Sequence, residues 1–191
     1  MDVLVHVVVR PALLGKALEH FRAELGLPRG SRLRAEPHSM LIYGKGQFFL
    51  PHQDSEKDDA MVGTLVVSLP SAHTGGELII DHSGESVVYR ASKDELTFVA
   101  FYADCRHQVK PVTSGYRHTL TFNLLADAVS PATRTGPAIE SARFLTEHFS
   151  TPATPRYGGP DLAPPNRLVF LLDHEYTQRG LIRNRLKGAD A

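Results

Sequence analysis

The chain has 191 residues, of which 42% are hydrophobic, and this is enough for a single globular domain with its own core. Basic and acidic side chains number 21 each and no apolar run approaches the length of a membrane span, which argues against a nucleic acid or a membrane as the partner. The only cysteine, Cys105, excludes an intramolecular disulfide and makes a reducing cytosol the expected compartment.

The first predicted elements are an apolar strand and an amphipathic helix, which together make an N-terminal strand–helix over residues 1–30. The start, MDVLVHVVVRP, lacks the basic residues of a signal peptide and is typical of a buried strand. Apolar residues then recur at helical spacing and predict a helix over residues 11–25, which the turn-forming segment GLPRGS ends.

From about residue 32 the pattern changes to short β-rich runs. Turn residues divide these runs in the segments SAHTGGE, DHSGES, ASKDE and VTSGY. Many short strands at such spacing predict a β-sandwich or double-sheet jelly roll. The runs that we interpret as strands are 39–43, 48–54, 62–69, 77–80, 86–90, 95–102, 107–112 and 117–124.

The region after this core, residues 126–191, is interpreted as a Pro-rich loop followed by a C-terminal strand–helix. Within it, PAIESARFLTEHF predicts a short helix, RLVFLL an apolar strand and YTQRGLIRNRLK a final helix. No internal repeat is visible, so we expect one domain over residues 1–191. The ending LKGADA carries no clear terminal signal, which leaves open that the chain is a fragment of a longer protein.

The stretch YGKGQFFLPHQD, residues 43–54, places an imidazole and a carboxylate two residues apart. In an extended chain residues i and i+2 face the same way, so His52 and Asp54 point together into solvent or into one pocket. His107 opens a later β run, and Arg117 opens the next strand after the turn VTSGY. Two imidazoles and one carboxylate can occupy one face of an octahedral metal and leave the other positions open, as in non-haem Fe(II) oxygenases.

The run 117–124 alternates polar and apolar residues, with Arg117, Thr119, Thr121 and Asn123 on one face. In an ordinary half-exposed sheet this would be a solvated outer face. In a double-sheet roll the same face can line an internal cavity, where a buried arginine needs an anion because an unpaired buried charge is costly. The candidate metal ligands favour the cavity, since an arginine beside them can hold a dicarboxylate through a bidentate pair.

These features, in this order, resemble the prolyl 4-hydroxylase-type branch of the Fe(II)/2-oxoglutarate-dependent dioxygenases. The similar segments are the Tyr-x-x-Gly-x-x-Phe-x-x-His-x-Asp pattern at 43–54, GGEL at 75–78 and HQVKPVTSGYRHT at 107–119. The resemblance covers about residues 39–125. It implies a chain that is mainly β with flanking helices around a double-stranded β-helix core of the jelly-roll, cupin-like type.

The resemblance also assigns the site residues. The Fe(II) ligands that it implies are His52, Asp54 and His107. The residues of the cosubstrate pocket that it implies are Arg117, Thr119 and Tyr43. Arg117 would bind the far carboxylate of 2-oxoglutarate, with the Thr119 hydroxyl and Tyr43 as hydrogen-bonding partners. Collagen-type members carry lysine at the anion position, so a collagen-like substrate is not supported.

The implied activity is that of a dioxygenase that hydroxylates a C–H bond, for instance of a peptidyl prolyl residue, while 2-oxoglutarate is oxidatively decarboxylated to succinate and CO2. Dioxygen and 2-oxoglutarate are the implied partners, ascorbate can serve as the reductant, and a protein or peptide substrate is compatible. One alternative is a non-catalytic jelly roll that binds metal or 2-oxoglutarate as a sensor or scaffold. Another is a nucleic-acid demethylase, which the neutral net charge disfavours.

Other polar residues have plainer interpretations. Cys105 is expected to be a buried cysteine rather than a reactive thiol. Asp104 is interpreted either as a hydrogen-bond partner of a metal ligand or as a turn residue. The segment HEYTQ at 174–178 lacks the second histidine of a zinc-protease HExxH motif, so that activity is excluded.

Two further expectations concern the surface. His73 and His82 lie in turn-like segments and are expected to face solvent. The charged run SEKDDAM, residues 55–61, directly follows the HQD segment and is predicted to be a mobile loop that orders over bound substrate.

Overall fold

The computed structural model falls into two compact units, Met1–Val129 with Asp173–Ala191, and Ser130–Leu172. The residues that it describes are 11–27, 30–55, 58, 60–127, 136–153, 157–160, 162–178, 181, 186–187 and 190. The predicted strand at the start of the chain lies outside these ranges. The single domain expected over residues 1–191 stays a prediction.

The first unit consists of one helix and a series of short strands. Helix α1 (Pro11–Glu24) confirms the predicted helix over residues 11–25. The strands are β1 (Leu33–Tyr43), β2 (Phe49–His52), β3 (Met61–Ser68), β4 (His73–Gly75), β5 (Leu78–His82), β6 (Glu85–Tyr89), β7 (Thr97–Tyr102), β8 (Arg106–Val109), β9 (Val112–Gly115) and β10 (Arg117–Ala126).

The strands form two four-stranded sheets and one small ribbon. The sheet orders are β1-β10-β3-β7 and β2-β8-β5-β6, β4 pairs with β9, and every pairing is antiparallel. Apolar side chains of both larger sheets belong to one core, with Leu65 and Val67 from β3 and Leu78 from β5 among its members. Two sheets around one core confirm the predicted jelly-roll fold, mainly β with two helices.

Strand β3 shows why the core lies where it does. It runs between β10 and β7, and each of its residues is buried. A strand that is covered on both faces must be almost continuously apolar, and the sequence MVGTLVVS is. Burial here is therefore a property of the strand's central place in the sheet.

Some predicted strands were wrong in their limits. The run 107–112 is two strands, β8 and β9, because Pro111 cannot donate a ladder hydrogen bond. The turn SAHTGGE contains the short strand β4, and β2 ends before Asp54. These boundaries depend on pairing with distant strands, which local patterns do not record.

The second unit, residues 130–172, contains helix α2 (Gly136–Ser150), which confirms the predicted helix at 137–149. The predicted strand RLVFLL is wrong. Residues 167–172 form no strand, and Val169 is 82% exposed. An apolar run becomes a strand only where another strand pairs with its backbone groups, and composition alone does not supply that partner.

The predicted final helix is also wrong for the residues of it that the structure describes. Residues 176–178 are not helical, and the Tyr176 hydroxyl instead donates to the Asp190 carboxylate and accepts from the Lys187 N–H. Most of the remaining residues of that prediction lie outside the described ranges. Among the described residues, no helix combines the length and apolar character needed to cross a membrane.

Substitution of Gly63 on β3 tests how closely β3 packs against β7. A Cβ added there would lie 2.2 Å from the Phe101 carbonyl oxygen on the neighbouring strand β7. Since backbone atoms of a paired strand cannot move aside cheaply, we expect Gly63→Ala to lower the free energy of unfolding by about 2–3 kcal/mol in urea titrations followed by circular dichroism. Gly15 on α1 is the control, because a Cβ there meets no atom within 4 Å. Gly15→Ala should raise stability by up to about 1 kcal/mol. An unchanged urea midpoint for Gly63→Ala would contradict the packing described.

Candidate metal and cosubstrate site

The two predicted histidine ligands are cross-strand neighbours. Strand β2 pairs with β8 so that His52 stands directly opposite His107, and their ring centroids are 4.2 Å apart. Asp54 follows β2, and its backbone N–H donates to the Ala103 carbonyl at 3.1 Å. The sheet therefore brings together residues that are more than fifty positions apart in the sequence.

The Asp54 carboxylate lies between the two imidazoles. Its Oδ1 is 3.7 Å from His52 Nε2 and its Oδ2 is 3.9 Å from His107 Nε2, and the ligand atoms of the three residues lie within 4.8 Å of one another. These distances are too long for hydrogen bonds, so the three groups converge on a common point without bonding to each other. Thr64 Oγ1 donates to Asp54 Oδ2 at 2.5 Å and holds the carboxylate in this orientation.

Each imidazole is oriented by a backbone carbonyl. His52 Nδ1 is 2.9 Å from the Leu50 oxygen, and His107 Nδ1 is 3.2 Å from the Cys105 oxygen. A carbonyl can only accept, so both Nδ1 atoms carry the hydrogen, and in a neutral ring this leaves the Nε2 lone pair for a metal. Burial lowers the pKa of His107, which favours the neutral imidazole that a metal requires.

Arg117, at the start of β10, is 2% exposed. Its Nη1 donates to Thr119 Oγ1 at 2.5 Å and its Nη2 to Ser68 Oγ at 3.2 Å. Among the described residues its buried Nε has no hydrogen-bond partner, and no carboxylate among them forms an ion pair with the guanidinium. Burial lowers the pKa of this guanidinium, so its charge is held at a cost that a bound anion would offset.

Glycine makes room for this guanidinium. At Gly76, in the GGEL segment, φ is +72°, and an added Cβ would lie 3.0 Å from Arg117 Cδ and 3.0 Å from Val112 Cγ2. Sequence reasoning quoted the two glycines but missed this role, and it also missed Thr64 and Ser68. The GG pair was the only local signal, because the other two residues reach the site through strand pairing.

All the predicted site residues line one cavity of about 400 Å³. Its wall contains His52, Asp54, His107, Arg117, Thr119 and Tyr43, together with Thr121 and Asn123. The polar face of β10 therefore lines the interior, and the solvated outer face of an ordinary half-exposed sheet is wrong for this strand, because the second sheet covers this face. The volume suits a small ligand.

Tyr43 lies beside the guanidinium. The Arg117 Cζ is 5.6 Å from the centroid of the Tyr43 ring, and burial raises the pKa of the phenol, which therefore stays neutral and able to donate a hydrogen bond. Phe49 lines the cavity, whereas Phe48 does not and is 52% exposed.

The residues present fit the groups that the resemblance implies. Two nitrogen lone pairs and one carboxylate match a facial triad for a divalent iron. A buried cation with an unpaired Nε in the same cavity matches a carboxylate of a cosubstrate.

Three other expectations can be compared with the structure. Cys105 is buried, and burial raises the pKa of its thiol to about 11, which confirms that it is not a reactive thiolate. His82 faces solvent only in part, because 28% of its side chain is exposed while its Nε2 is buried. In the predicted substrate loop 55–61, Met61 is a core residue of β3. Residues 56, 57 and 59 of that loop lie outside the described part of the chain, and its closure stays a prediction.

Comparison with known proteins agrees with this geometry. Residues 38–125 match the model of the 2OG-Fe(II) oxygenase superfamily. A similar solved structure is an oxidoreductase of the 2OG-Fe(II) oxygenase family from Burkholderia pseudomallei, with 22% identity, a TM-score of 0.47 and coverage of 59% of this chain and 53% of that one. The aligned part thus spans about half of the Burkholderia protein.

Two further solved structures are similar to parts of the chain. A prolyl-4-hydroxylase from Pseudomonas putida has 21% identity and a TM-score of 0.41, covering 62% of this chain and 67% of its own. The non-heme monooxygenase ThoJ, in a nickel complex, has 13% identity and a TM-score of 0.43, covering 71% and 66%. A comparison with curated proteins found no significant match. The matched region contains strands β2 and β8, whose pairing brings the triad together, and the start of β10, which carries Arg117. Residues 38–125 therefore belong to the 2OG-Fe(II) oxygenase superfamily.

Proposed function

We propose that the protein is an Fe(II)- and 2-oxoglutarate-dependent dioxygenase that hydroxylates a C–H bond. One observation carries this proposal. The convergent ligands His52, Asp54 and His107 share a cavity with Arg117, a buried guanidinium that no described carboxylate neutralises. A metal triad beside a dicarboxylate-binding arginine is the arrangement that this chemistry needs.

In this proposal His52, Asp54 and His107 hold the iron, and Arg117 holds the far carboxylate of 2-oxoglutarate. The bound iron supplies the activation of dioxygen that couples decarboxylation of 2-oxoglutarate to hydroxylation of the substrate. The residues of the chain bind and orient the cosubstrate, and they exclude water from the reacting atoms. Thr119 and Ser68 hold the guanidinium fork in place, so that the carboxylate meets a preorganised donor pair.

The wall of the cavity serves the same purpose. Val66, Leu78 and Val109 line it beside the polar groups, and an apolar wall keeps bulk water from the reacting atoms. Tyr43 contributes a neutral hydroxyl in the cosubstrate pocket. The resulting site is dry on one side and hydrogen-bonding on the other, as expected for a site that must orient a small dianion.

For the substrate we propose a peptidyl prolyl residue, or another side chain of a protein or peptide. The support is the resemblance of residues 43–54 and 107–119 to the prolyl 4-hydroxylase-type branch. Dioxygen and 2-oxoglutarate are the co-reactants, and ascorbate is a suitable reductant. The single cysteine supports a reducing compartment such as the cytosol.

Formation of succinate tests the proposal. The protein with Fe(II), 2-oxoglutarate, ascorbate and dioxygen, but no substrate, should convert 2-oxoglutarate to succinate slowly, because this uncoupled reaction needs only the metal and cosubstrate sites. Asp54→Ala is expected to reduce the rate to that of free Fe(II), whereas Asp81→Ala, outside this cavity, should leave it unchanged. Binding of 2-oxoglutarate without any succinate above background would instead support the sensor or scaffold alternative.

A further inference from the structure

A second group of histidine and aspartate side chains lies outside the cavity described above. It joins the end of β5, the loop after β7 and the segment that begins at residue 173. Ligand atoms of His82, Asp104 and His174 all lie within 4.8 Å of one another. Sequence reasoning gave none of these residues a metal-binding role, and it dismissed the HEYTQ segment that contains His174.

The spacing within this group suits a shared ion. His174 Nδ1 is 3.1 Å from Asp104 Oδ2, where the two groups share a hydrogen bond that a bound ion would replace, and His82 Nε2 is 3.8 Å from Asp173 Oδ2. Ligand atoms at about 2.0–2.2 Å from a zinc ion lie about 3–3.5 Å from each other, so small movements would bring these groups to coordination distance. The corresponding nitrogen–oxygen distances in the first triad, 3.7 and 3.9 Å, are similar.

One nitrogen in this group has no partner. His82 Nε2 is buried and makes no hydrogen bond within the described residues, and the nearest Asp173 oxygen is too far away to accept one. Its ring stacks on that of His174, with centroids 4.9 Å apart and planes inclined by 19°. A buried polar atom left unpaired needs an explanation, and an ion that it ligates is one.

The charge around the group favours a cation. A cavity of about 330 Å³ beside it is lined by Asp81, Asp104, Asp173 and Glu175, against a single basic residue, Arg106. Lys187 offsets part of this charge, since its Nζ is 3.9 Å from Asp104 Oδ1. The excess of carboxylates over cations is what a divalent ion would neutralise.

We propose that His82, Asp104 and His174 bind a divalent transition-metal ion of the zinc type. Two imidazoles and one carboxylate are ligands that zinc accepts, and a water molecule can complete its tetrahedral coordination. The ion would fasten the segment after residue 173 to the jelly roll.

The proposed ion site is also connected to the triad of His52, Asp54 and His107 by a hydrogen bond. Gln53, between the ligands His52 and Asp54, donates from Nε2 to the Asp104 carbonyl at 2.6 Å. A metal at Asp104 therefore supports the turn that presents the iron ligands. Asp190 adds a second tie, because its carboxylate accepts from the N–H groups of Asp173 and His174.

The test uses the full chain with His52→Ala and His107→Ala, which removes the first triad and makes the result independent of oxygenase activity. Titration with Co²⁺, followed by visible absorption and by metal analysis after gel filtration, should show one ion bound per chain and a higher melting temperature. Adding His82→Asn should abolish both effects. Adding His73→Asn, a histidine outside both groups, should leave both unchanged.

His174 is more deeply buried, so His174→Ala is accepted only if circular dichroism shows a folded chain. That variant should likewise lose Co²⁺ binding. The proposal is overturned if the folded double variant binds no Co²⁺, or if bound Co²⁺ persists with unchanged absorption in the His82→Asn and His174→Ala chains.

Discussion

Replacing His52 by alanine is expected to remove Fe(II) from the first triad and to reduce succinate formation to the level of free iron. His52 supplies one of three ligands, and the two that remain, Asp54 and His107, cannot hold a labile divalent ion against water. The loss should exceed the roughly 10–100-fold effects typical of residues that only orient metal ligands. Turnover of 2-oxoglutarate and Mn²⁺ titration by electron paramagnetic resonance would measure both effects.

The titration should be made in the His82→Asn background, so that the second histidine–aspartate group does not contribute bound metal. His118→Ala is the matched control, because His118 lies on β10 next to Arg117 but does not line the cavity. Full iron occupancy in the His52→Ala chain would refute the assignment of the triad. Zinc held tetrahedrally by a fourth protein ligand at His52, Asp54 and His107 would refute it as well.

Replacing Arg117 by leucine is expected to abolish binding of 2-oxoglutarate while leaving the metal site intact. In the unaltered protein with Mn²⁺, 2-oxoglutarate at about 100 times its dissociation constant should stabilise the fold by about 2.7 kcal/mol. For a chain of this size that corresponds to a rise in melting temperature of roughly 5–10 °C. Arg117→Leu should show no such rise, since the carboxylate loses its only buried cation in the described part of the cavity.

The Arg117→Leu chain should remain folded, because the substitution removes a buried charge that no carboxylate of the described residues compensates. Arg117→Lys is the informative companion. It keeps the charge but loses the planar fork, so a smaller rise should remain. A full rise with Arg117→Leu would show that another cation binds the cosubstrate, with Lys110 and Arg106 as the candidates.

Much of the candidate site could be predicted from local pattern. His52 and Asp54 are two residues apart in extended chain, and this parity alone places them on one side. His107 and Arg117 open successive β runs across a turn, and the density of short runs indicated a jelly roll. In the structure the first three residues converge and Arg117 lines the same cavity, while their roles as metal and cosubstrate ligands stay a prediction.

Local pattern could not show which face of a strand is buried or whether a strand has a partner along its edge. The alternation in β10 fits a solvated outer face and an interior one equally well. The second sheet settles this by covering Arg117 and Thr119, which are 2% and 1% exposed. The prediction of a strand at RLVFLL was wrong because an apolar run forms a strand only where another strand pairs with its backbone.

Local pattern was enough to predict the order and parity of the triad, the many short strands of a jelly roll and both described helices, because each of these leaves a periodicity between residues close in the chain. Packing of distant segments was needed to establish which polar face is interior, why Gly76 stands beside Arg117, and that His174 meets Asp104. The last two residues are 70 positions apart, and their hydrogen bond exists only because the segment after residue 173 packs on the loop before β8. Contacts of this kind depend on the fold as a whole, and no periodicity along the chain encodes them.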